Sequence, residues 1–182
     1  MALRATVYRA DLHVSDLDRG VYAQHALTLA RHPSETEERL MVRLLAFALH
    51  ADEALVFGRG LSTEDEADLW QRDPTGVIVR LIDVGLPDEK AIRKACGRAR
   101  EVVVLAYGAR RVDAWWADNA EALTRLTNLR VFTLAAAETE PLQSLVARSM
   151  SLSCTVQDGH VWLASEAATI ELKPALRCGA HA

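Results

Sequence analysis

The stretch VIVRLIDVGLPDEKAIRKACGR, residues 77–98, predicts a strand, a tight turn and a helix in direct succession. Residues 77–84 are mostly β-branched or aliphatic, a run long enough for a strand and short for a helix. Side chains alternate along a strand, so Asp83 shares a face with the apolar Leu81, where a charge needs a partner. Pro87 then suits the first position of the helix. This βα unit is the element around which we expect the sheet to form.

The predicted helix carries an apolar stripe that packs on the sheet, formed by Ala91, Ile92, Ala95, Cys96 and Ala99. Lys94 and Arg98 flank this stripe one turn apart, while Lys90 lies nearly opposite its centre. An acid at the end of a strand with a lysine on the next helix has two interpretations. One is a site for a metal ion and its substrate. The other is a structural ion pair, in which the lysine neutralises a buried acid.

Composition limits both the architecture and the partners. Half of the 182 residues are apolar, which suffices for one domain with its own core. The formal net charge of −4 excludes a protein coated in positive charge, so any contact with nucleic acid requires a local basic patch. The three widely spaced cysteines form no CxxC pair, which indicates a reducing compartment and excludes cysteine-rich zinc sites. With no signal peptide and no long apolar run, we expect a cytoplasmic protein without a membrane partner.

Alternating apolar and polar residues predict a hairpin near each end of the chain. The N-terminal hairpin is expected within residues 2–30, on either side of a turn-rich segment. The C-terminal hairpin is expected within residues 150–173, across Asp158-Gly159, the best short hairpin signal in the chain. Residues 170–172 are expected to extend its sheet, and residues 177–182 to form a loose tail.

Between the hairpins, strands alternate with helices over a core of about residues 33–135. Ser34 can cap the first helix, with Glu37 three residues later completing a capping box, and this helix is expected to end near Ala51. Further strands are predicted at 54–61, 68–72, 101–107 and 129–134, and further helices at 113–126 and 138–149. The pattern predicts a single-domain α/β fold.

Two more acids occupy informative places. Glu38 lies at the N-terminal edge of the buried face of the first helix, although a first-turn acid also simply favours the helix dipole. Asp68 opens a strand that the turn at residues 73–76 returns to the next one. Asp68 and Asp83 are therefore expected on adjacent strands.

Three motifs closely resemble the YaeQ family: LTLARHPSETEERLMVRLLAFALHADE at residues 27–53, Arg-Gly-Leu at 59–61, and DVGLPDEKAIRKAC at 83–96. The resemblance extends over essentially the whole chain. It implies a variant of the PD-(D/E)XK, restriction-endonuclease-like fold, whose core is a mixed sheet flanked by helices. In that fold, acids from the first helix and from the second and third core strands converge on Mg²⁺, for which Mn²⁺ can substitute.

By this resemblance, Glu38, Asp68 and Asp83 are the catalytic acids and the metal ligands. Three carboxylates held together repel one another and raise each other's pKa unless a cation lies among them. Mg²⁺ prefers such oxygen ligands and lowers the pKa of a bound water. The implied activity is Mg²⁺-dependent hydrolysis of a phosphodiester in nucleic acid, or of a smaller phosphate ester. The alternative is a non-catalytic binding module that retains the acidic pocket.

The chain departs from the fold's usual pattern at two places. Ala67 replaces the proline that usually precedes the strand aspartate, and Gly85 stands where the fold usually has lysine, two residues after the third-strand acid. The resemblance then implies that Lys94, on the next helix, replaces the missing lysine as a fourth catalytic residue. The residues expected to bind substrate are Arg59, Lys90, Arg93 and Arg98.

Overall fold

The computed structural model describes residues 4–59 and 66–179 of the chain. Within these ranges the strands are β1 (Thr6–Asp16), β2 (Val21–Arg31), β3 (Leu55–Phe57), β4 (Leu69–Arg72), β5 (Ile78–Val84), β6 (Ala99–Ala106), β7 (Leu129–Thr133), β8 (Ser149–Gln157), β9 (His160–Ala164), β10 (Thr169–Leu172) and β11 (Ala175–Cys178). The helices are α1 (Glu37–Leu49), α2 (Glu89–Cys96), α3 (Arg111–Leu123), α4 (Ala136–Thr139) and a 3₁₀ helix (Glu140–Leu145). The predicted single-domain α/β class is confirmed.

One sheet contains the predicted βα unit. Its strand order is β11-β7-β6-β5-β4-β3, in which β5, β6 and β7 are parallel and the other pairs are antiparallel. Helices α2 and α3 connect the parallel strands and cover one face of this sheet through residues such as Ile92 and Leu123. This sheet is the mixed sheet flanked by helices that the sequence predicts.

The two hairpins do not remain separate appendages of that sheet. Strand β1 pairs in parallel with β8, so both hairpins form a second sheet of order β10-β9-β8-β1-β2. The pairing follows from two matching apolar faces, since Leu12 of β1 lies directly beside Leu152 of β8 and both are buried. It also covers two strand edges that would otherwise be open.

Helix α1 lies between the two sheets. Every residue from Leu40 to Ala48 is buried, so the helix is enclosed on all sides. Its neighbours in this core include Leu12 of the hairpin sheet and Ile82 of the larger sheet. Both ends of α1 carry features described below.

The prediction that Ser34 caps α1 is wrong. Thr36 is the N-cap, and its hydroxyl accepts a hydrogen bond from the Arg39 amide at 3.1 Å. The Ser34 hydroxyl instead lies 2.6 Å from Nδ1 of His32. The sequence offers two capping residues two positions apart, and local spacing alone did not distinguish them.

Two other predictions near the C-terminus are wrong. The helix expected at residues 138–149 is the short α4 followed by a 3₁₀ turn, because Pro141 has no amide proton to continue an α-helix and residue 149 already belongs to β8. The first two residues of the expected loose tail belong to β11, which pairs with the free edge of β7, and residues 180–182 lie outside the described residues.

Several boundaries also differ from those predicted. Among the described residues of the strand expected at 54–61, only Leu55–Phe57 form β3, and residues 60 and 61 lie outside the described ranges. Asp68 precedes β4 rather than belonging to it. The hairpin across Asp158-Gly159 is confirmed, with φ of 52° and 75°, the left-handed pair that a two-residue turn of this type requires. No helix in the described ranges has the length and apolar character needed to cross a membrane.

Candidate functional site

Asp83 occupies the penultimate position of β5 and faces α2. Along β5, Ile82 and Val84 belong to the core around α1, while Leu81 belongs to the core beneath α2 and lines the same cleft as Asp83. The strand ends at Gly85, whose φ of 102° is a conformation that side-chain-bearing residues rarely adopt. A lysine at this position would be strained, which gives a physical reason for the departure from the usual pattern.

The structure brings four charged side chains to one small open cleft. Glu66 and Asp83 provide carboxylates, while Lys94 and Arg98 reach the cleft from α2 and the turn after it. Asp88 holds the start of α2 in place by accepting a hydrogen bond from the Ala91 amide at 2.7 Å. Asp83 and Lys94, predicted from separate elements, thus line the same cleft.

Asp68 lies beside Asp83, but its carboxylate serves other groups. The Asp68 amide donates to Oδ1 of Asp83 at 3.3 Å, so the two backbones are adjacent. Oδ2 of Asp68 accepts the Val84 amide at 2.8 Å, and Oδ1 accepts Nη2 of Arg39 at 2.7 Å. A second guanidinium, that of Arg43, has Nε 4.0 Å from the same Oδ1. Protein cations from α1 therefore neutralise Asp68.

Glu38 lies in the first turn of α1. Its Oε1 accepts the hydroxyl of Thr139, a fully buried residue of α4, at 2.7 Å. Burial raises the pKa of Tyr107 to about 12, with Glu38 and Asp68 contributing to the rise and Arg39 opposing it. Tyr107 thus lies in the electrostatic field of the α1 acids, whereas Asp83 faces the cleft below α2.

The pKa of Asp83 is unusual for a carboxyl group. Burial raises it, and the Asp68 carboxylate raises it further, to about 6, although the Asp68 amide and Arg39 lower it. At neutral pH, Asp83 is therefore an ionised acid whose proton affinity is close to that needed for acid–base chemistry.

The three predicted metal ligands do not fit a shared Mg²⁺ site. Over residues 4–59 and 66–179, no three His, Cys, Asp or Glu side chains are grouped closely enough to hold a metal ion. The bonds described above explain this result. Glu38 bonds to Thr139, Asp68 bonds to Arg39, and Asp83 faces the opposite side of the sheet from α1.

The predicted substrate-binding residues are exposed but differ in their partners. Lys90 lies on the outer face of α2. Nε of Arg93 bonds to Oε1 of Glu89 at 2.5 Å. The backbone amide of Arg59 donates to Oε1 of Glu66 at 2.8 Å, which ties the end of the segment after β3 to the rim of the cleft. The Gly60 and Leu61 that follow Arg59 in its motif lie outside the described residues.

The sequence model for the family described as YaeQ protein matches residues 1–174. The chain belongs to the YaeQ family. It is 44% identical over 173 residues to the "Uncharacterized protein YaeQ" of Salmonella typhi, covering 95% of this chain and 96% of the relative. It is 43% identical over 172 residues to the protein of the same description from Escherichia coli K12, covering 94% and 95%.

Two solved YaeQ structures have the same architecture. The crystal structure of YaeQ protein from Xanthomonas axonopodis pv. citri is 53% identical, with a TM-score of 0.94 over 97% of this chain and 99% of that one. The crystal structure of YaeQ protein from Pseudomonas syringae is 34% identical, with a TM-score of 0.87 over 94% and 95%. The resemblance drawn from the three motifs is thus confirmed at the level of the family.

An ionic network at the start of α1 is the main feature that sequence reasoning missed, although it lies within the longest motif resembling the YaeQ family. Arg43 has no exposed surface, and its Nη1 donates to both carboxylate oxygens of Glu35, at 2.9 and 3.0 Å. Arg39 bridges Glu35 at 3.1 Å to Asp68. The available signal was the spacing of four between Glu35, Arg39 and Arg43, with the last in an otherwise apolar run.

Proposed function

We propose that the chain is a non-catalytic binding module of restriction-endonuclease-like descent, which contacts the phosphates of nucleic acid through the exposed cations of the α2 segment. The descent is supported by the order of elements: α1, the antiparallel β3, β4 and β5, then α2 and the parallel β6. In this proposal α1 corresponds to the first helix of the nuclease core, and β4 and β5 correspond to its second and third strands.

The proposal rests mainly on the hydrogen bonds of the Asp68 carboxylate. Its two oxygens accept hydrogen bonds from Arg39 and from the Val84 amide. A guanidinium thus supplies the positive charge that a metal ion would supply in a nuclease. The acid and lysine of the cleft remain, but the set of three carboxylates that would organise a metal-bound water does not form.

The cleft is bordered by cations that suit phosphate. Lys90, Lys94 and Arg98 follow one another at spacings of four along the α2 segment, and all three are exposed. Phosphate contacts supply most of the affinity of proteins for nucleic acid, and they require only such a local patch on a chain of negative net charge.

The proposal is tested by fluorescence anisotropy with a fluorescein-labelled DNA duplex, and with one of its strands alone, in EDTA. The double variant Lys94→Gln/Arg98→Gln is expected to bind about tenfold more weakly at low salt and to reduce the slope of log K against log[salt] by about 2. The double variant Arg125→Gln/Lys173→Gln removes the same charge from distant exposed positions and should bind like the wild type. Absence of binding, or equal weakening by both variants, would contradict the proposal.

A Mg²⁺-dependent phosphodiester hydrolase is the second candidate, favoured by the shared cleft of Asp83 and Lys94 and by the raised pKa of Asp83. For Asp68 and Asp83 to bind an ion together, Asp68 would have to release Arg39. Calorimetry with Mn²⁺ tests this candidate. A site in the wild type that Asp83→Asn abolishes and Arg39→Gln strengthens, together with Mg²⁺-dependent cleavage of the labelled DNA, would favour the hydrolase over the binding module.

A further inference from the structure

A second and larger cleft opens at the other end of α1. The helix ends at Leu49, and His50 lines this cleft together with residues of both sheets. The volume of this cleft is about 210 Å³. A cavity of this size is smaller than the sites of drug-sized ligands but can hold a small organic molecule.

The apolar part of the lining of this cleft comes from both sheets. Phe132 contributes from β7 of the larger sheet, while Val156 and Val161 contribute from the β8–β9 hairpin. Leu49 and Pro174 complete this apolar part. Phe132 is half-buried, so its ring retains surface that a ligand can cover.

Two guanidinium groups from the larger sheet, those of Arg80 and Arg130, also line the cleft and share one carboxylate. Nε of Arg80 bonds to Oε2 of Glu101 at 2.5 Å, and Nη2 of Arg130 bonds to the other oxygen of the same carboxylate. One acid thus serves two arginines. Nε of Arg130 is buried and has no hydrogen-bond partner among the described residues. A buried donor of this kind is costly unless an acceptor reaches it.

His50 adds a neutral polar group to the lining of the cleft. It is 7% exposed, and its ring donates or accepts no hydrogen bond with any residue in the described ranges. Burial lowers the pKa of His50 well below its usual value, and Arg80, Arg130 and Arg19 lower it further. Three arginines thus lie close enough to His50 to disfavour its protonated form, in addition to the effect of burial.

The acids that line the cleft already have partners. Asp16 accepts the backbone amide and Nε of Arg19, at 2.9 and 2.6 Å. Asp18 accepts the amides of Asp158 and Gly159 at the hairpin turn, at 2.7 and 2.9 Å. The Asp16 carboxylate is thus paired with Arg19, and the Asp18 carboxylate is held by the backbone of the hairpin turn.

We propose that this cleft between the sheets binds a small organic anion with an apolar body. Its acid group accepts a hydrogen bond from Nε of Arg130, and its apolar part covers Phe132 and the lining residues of the β8–β9 hairpin. His50 lies beside the acid group and can donate to it as a neutral imidazole. This site is separate from the cleft at Asp83 and does not depend on the function proposed above.

The probe is octanoate, titrated into the ¹⁵N-labelled full chain and followed by ¹H–¹⁵N correlation spectra. Saturable shifts are expected for the amides of Phe132, Gly159 and Val161. The uncharged counterpart 1-octanol should bind at least about tenfold more weakly, because it cannot form the charge-assisted hydrogen bond. This comparison uses only the wild-type protein, so it holds even where a variant folds poorly.

The variant Arg130→Gln should weaken octanoate binding about tenfold, with Arg80 remaining to neutralise Glu101. The control Arg125→Gln removes an equal charge from an exposed position on α3 and should bind octanoate as the wild type does. Shifts without saturation, shifts that cluster elsewhere, equal binding of octanoate and octanol, or unchanged binding by a folded Arg130→Gln would each overturn the proposal.

Discussion

Replacing Glu35 with glutamine is expected to destabilise the protein by about 3–5 kcal/mol, because the change leaves a fully buried guanidinium without its counterion. Arg43 has no exposed surface, and both oxygens of Glu35 lie within 3.0 Å of its Nη1. The next carboxylate, that of Asp68, is 4.0 Å from Nε. Nε and Nη2 of Arg43 already lack hydrogen-bond partners among the described residues, so little remains to compensate the loss.

Urea unfolding followed by circular dichroism at neutral pH measures this change, and an unchanged m value would show that both variants unfold to a similar extent. Each kcal/mol lowers the Tm of a domain of this size by about 2–4 °C, so a fall of about 6–20 °C is expected. The control Glu121→Gln disrupts a pair with Arg125 whose side chains are 87% and 70% exposed. It should change the free energy of unfolding by no more than about 0.5 kcal/mol.

A double-mutant cycle isolates the interaction itself. Arg43→Met alone removes the buried cation, and Glu35→Gln/Arg43→Met removes both charges. The double variant should lose less free energy of unfolding than the two single variants lose together, by about 2 kcal/mol or more. The reason is that it contains neither the Glu35 carboxylate nor the Arg43 guanidinium, so no buried charge is left unpaired. A loss below about 1 kcal/mol for Glu35→Gln, or an additive cycle, would refute the claim that the pair is desolvated and coupled.

Two further predictions concern the cleft at Asp83. Gly58→Ala should destabilise the protein by about 2 kcal/mol or more in the same urea assay, because the new Cβ would lie 2.1 Å from the backbone oxygen of Ala67. Gly97→Ala is the control: the atom nearest to its Cβ would be 3.6 Å away, so the free energy of unfolding should hardly change. Asp83→Asn should stabilise the protein above pH 6 by up to about 3 kcal/mol. Folding raises the pKa of the Asp83 carboxyl to about 6, so the wild type loses stability as the pH rises from about 4 to about 6, and the uncharged asparagine does not. The stability gain should vanish near pH 4; a gain that is independent of pH would contradict the electrostatic cause.

Local patterns determined much of the fold, and long-range pairing determined the rest. The alternation of Tyr8, Ala10, Leu12 and Val14 correctly predicts the buried face of β1. No local signal predicts that β1 pairs with β8, a strand some 140 residues away in the register Leu12 to Leu152. The reason is physical: an exposed edge is compatible with any partner of matching apolar face, and only the complete fold selects one.

In the candidate site, too, local patterns predicted the placement of some residues and not of others. Alternation along β5 places Asp83 with Leu81, and the amphipathic α2 segment brings Lys94 to the same cleft. The direction of the Asp68 side chain was not predictable, because Asp68 precedes the regular part of β4 and its orientation is set by hydrogen bonds to Arg39 and Val84. Strand periodicity applies only where a residue pairs regularly, so it assigns a face to Asp83 and none to Asp68.

The α1 network also relates stability to the chemistry of the cleft. Arg39 holds Asp68 toward α1 and, at the same time, lowers the pKa of Asp83, while Asp68 itself raises it. A divalent cation between the two acids would have to compete with a guanidinium that is already paired to Asp68 and to Glu35. Because Glu35 also neutralises the buried Arg43, the network that stabilises the interior is the same one that keeps Asp68 from joining Asp83. Selection for a stable α1 and selection for a metal site would therefore act on the same residues in opposite directions.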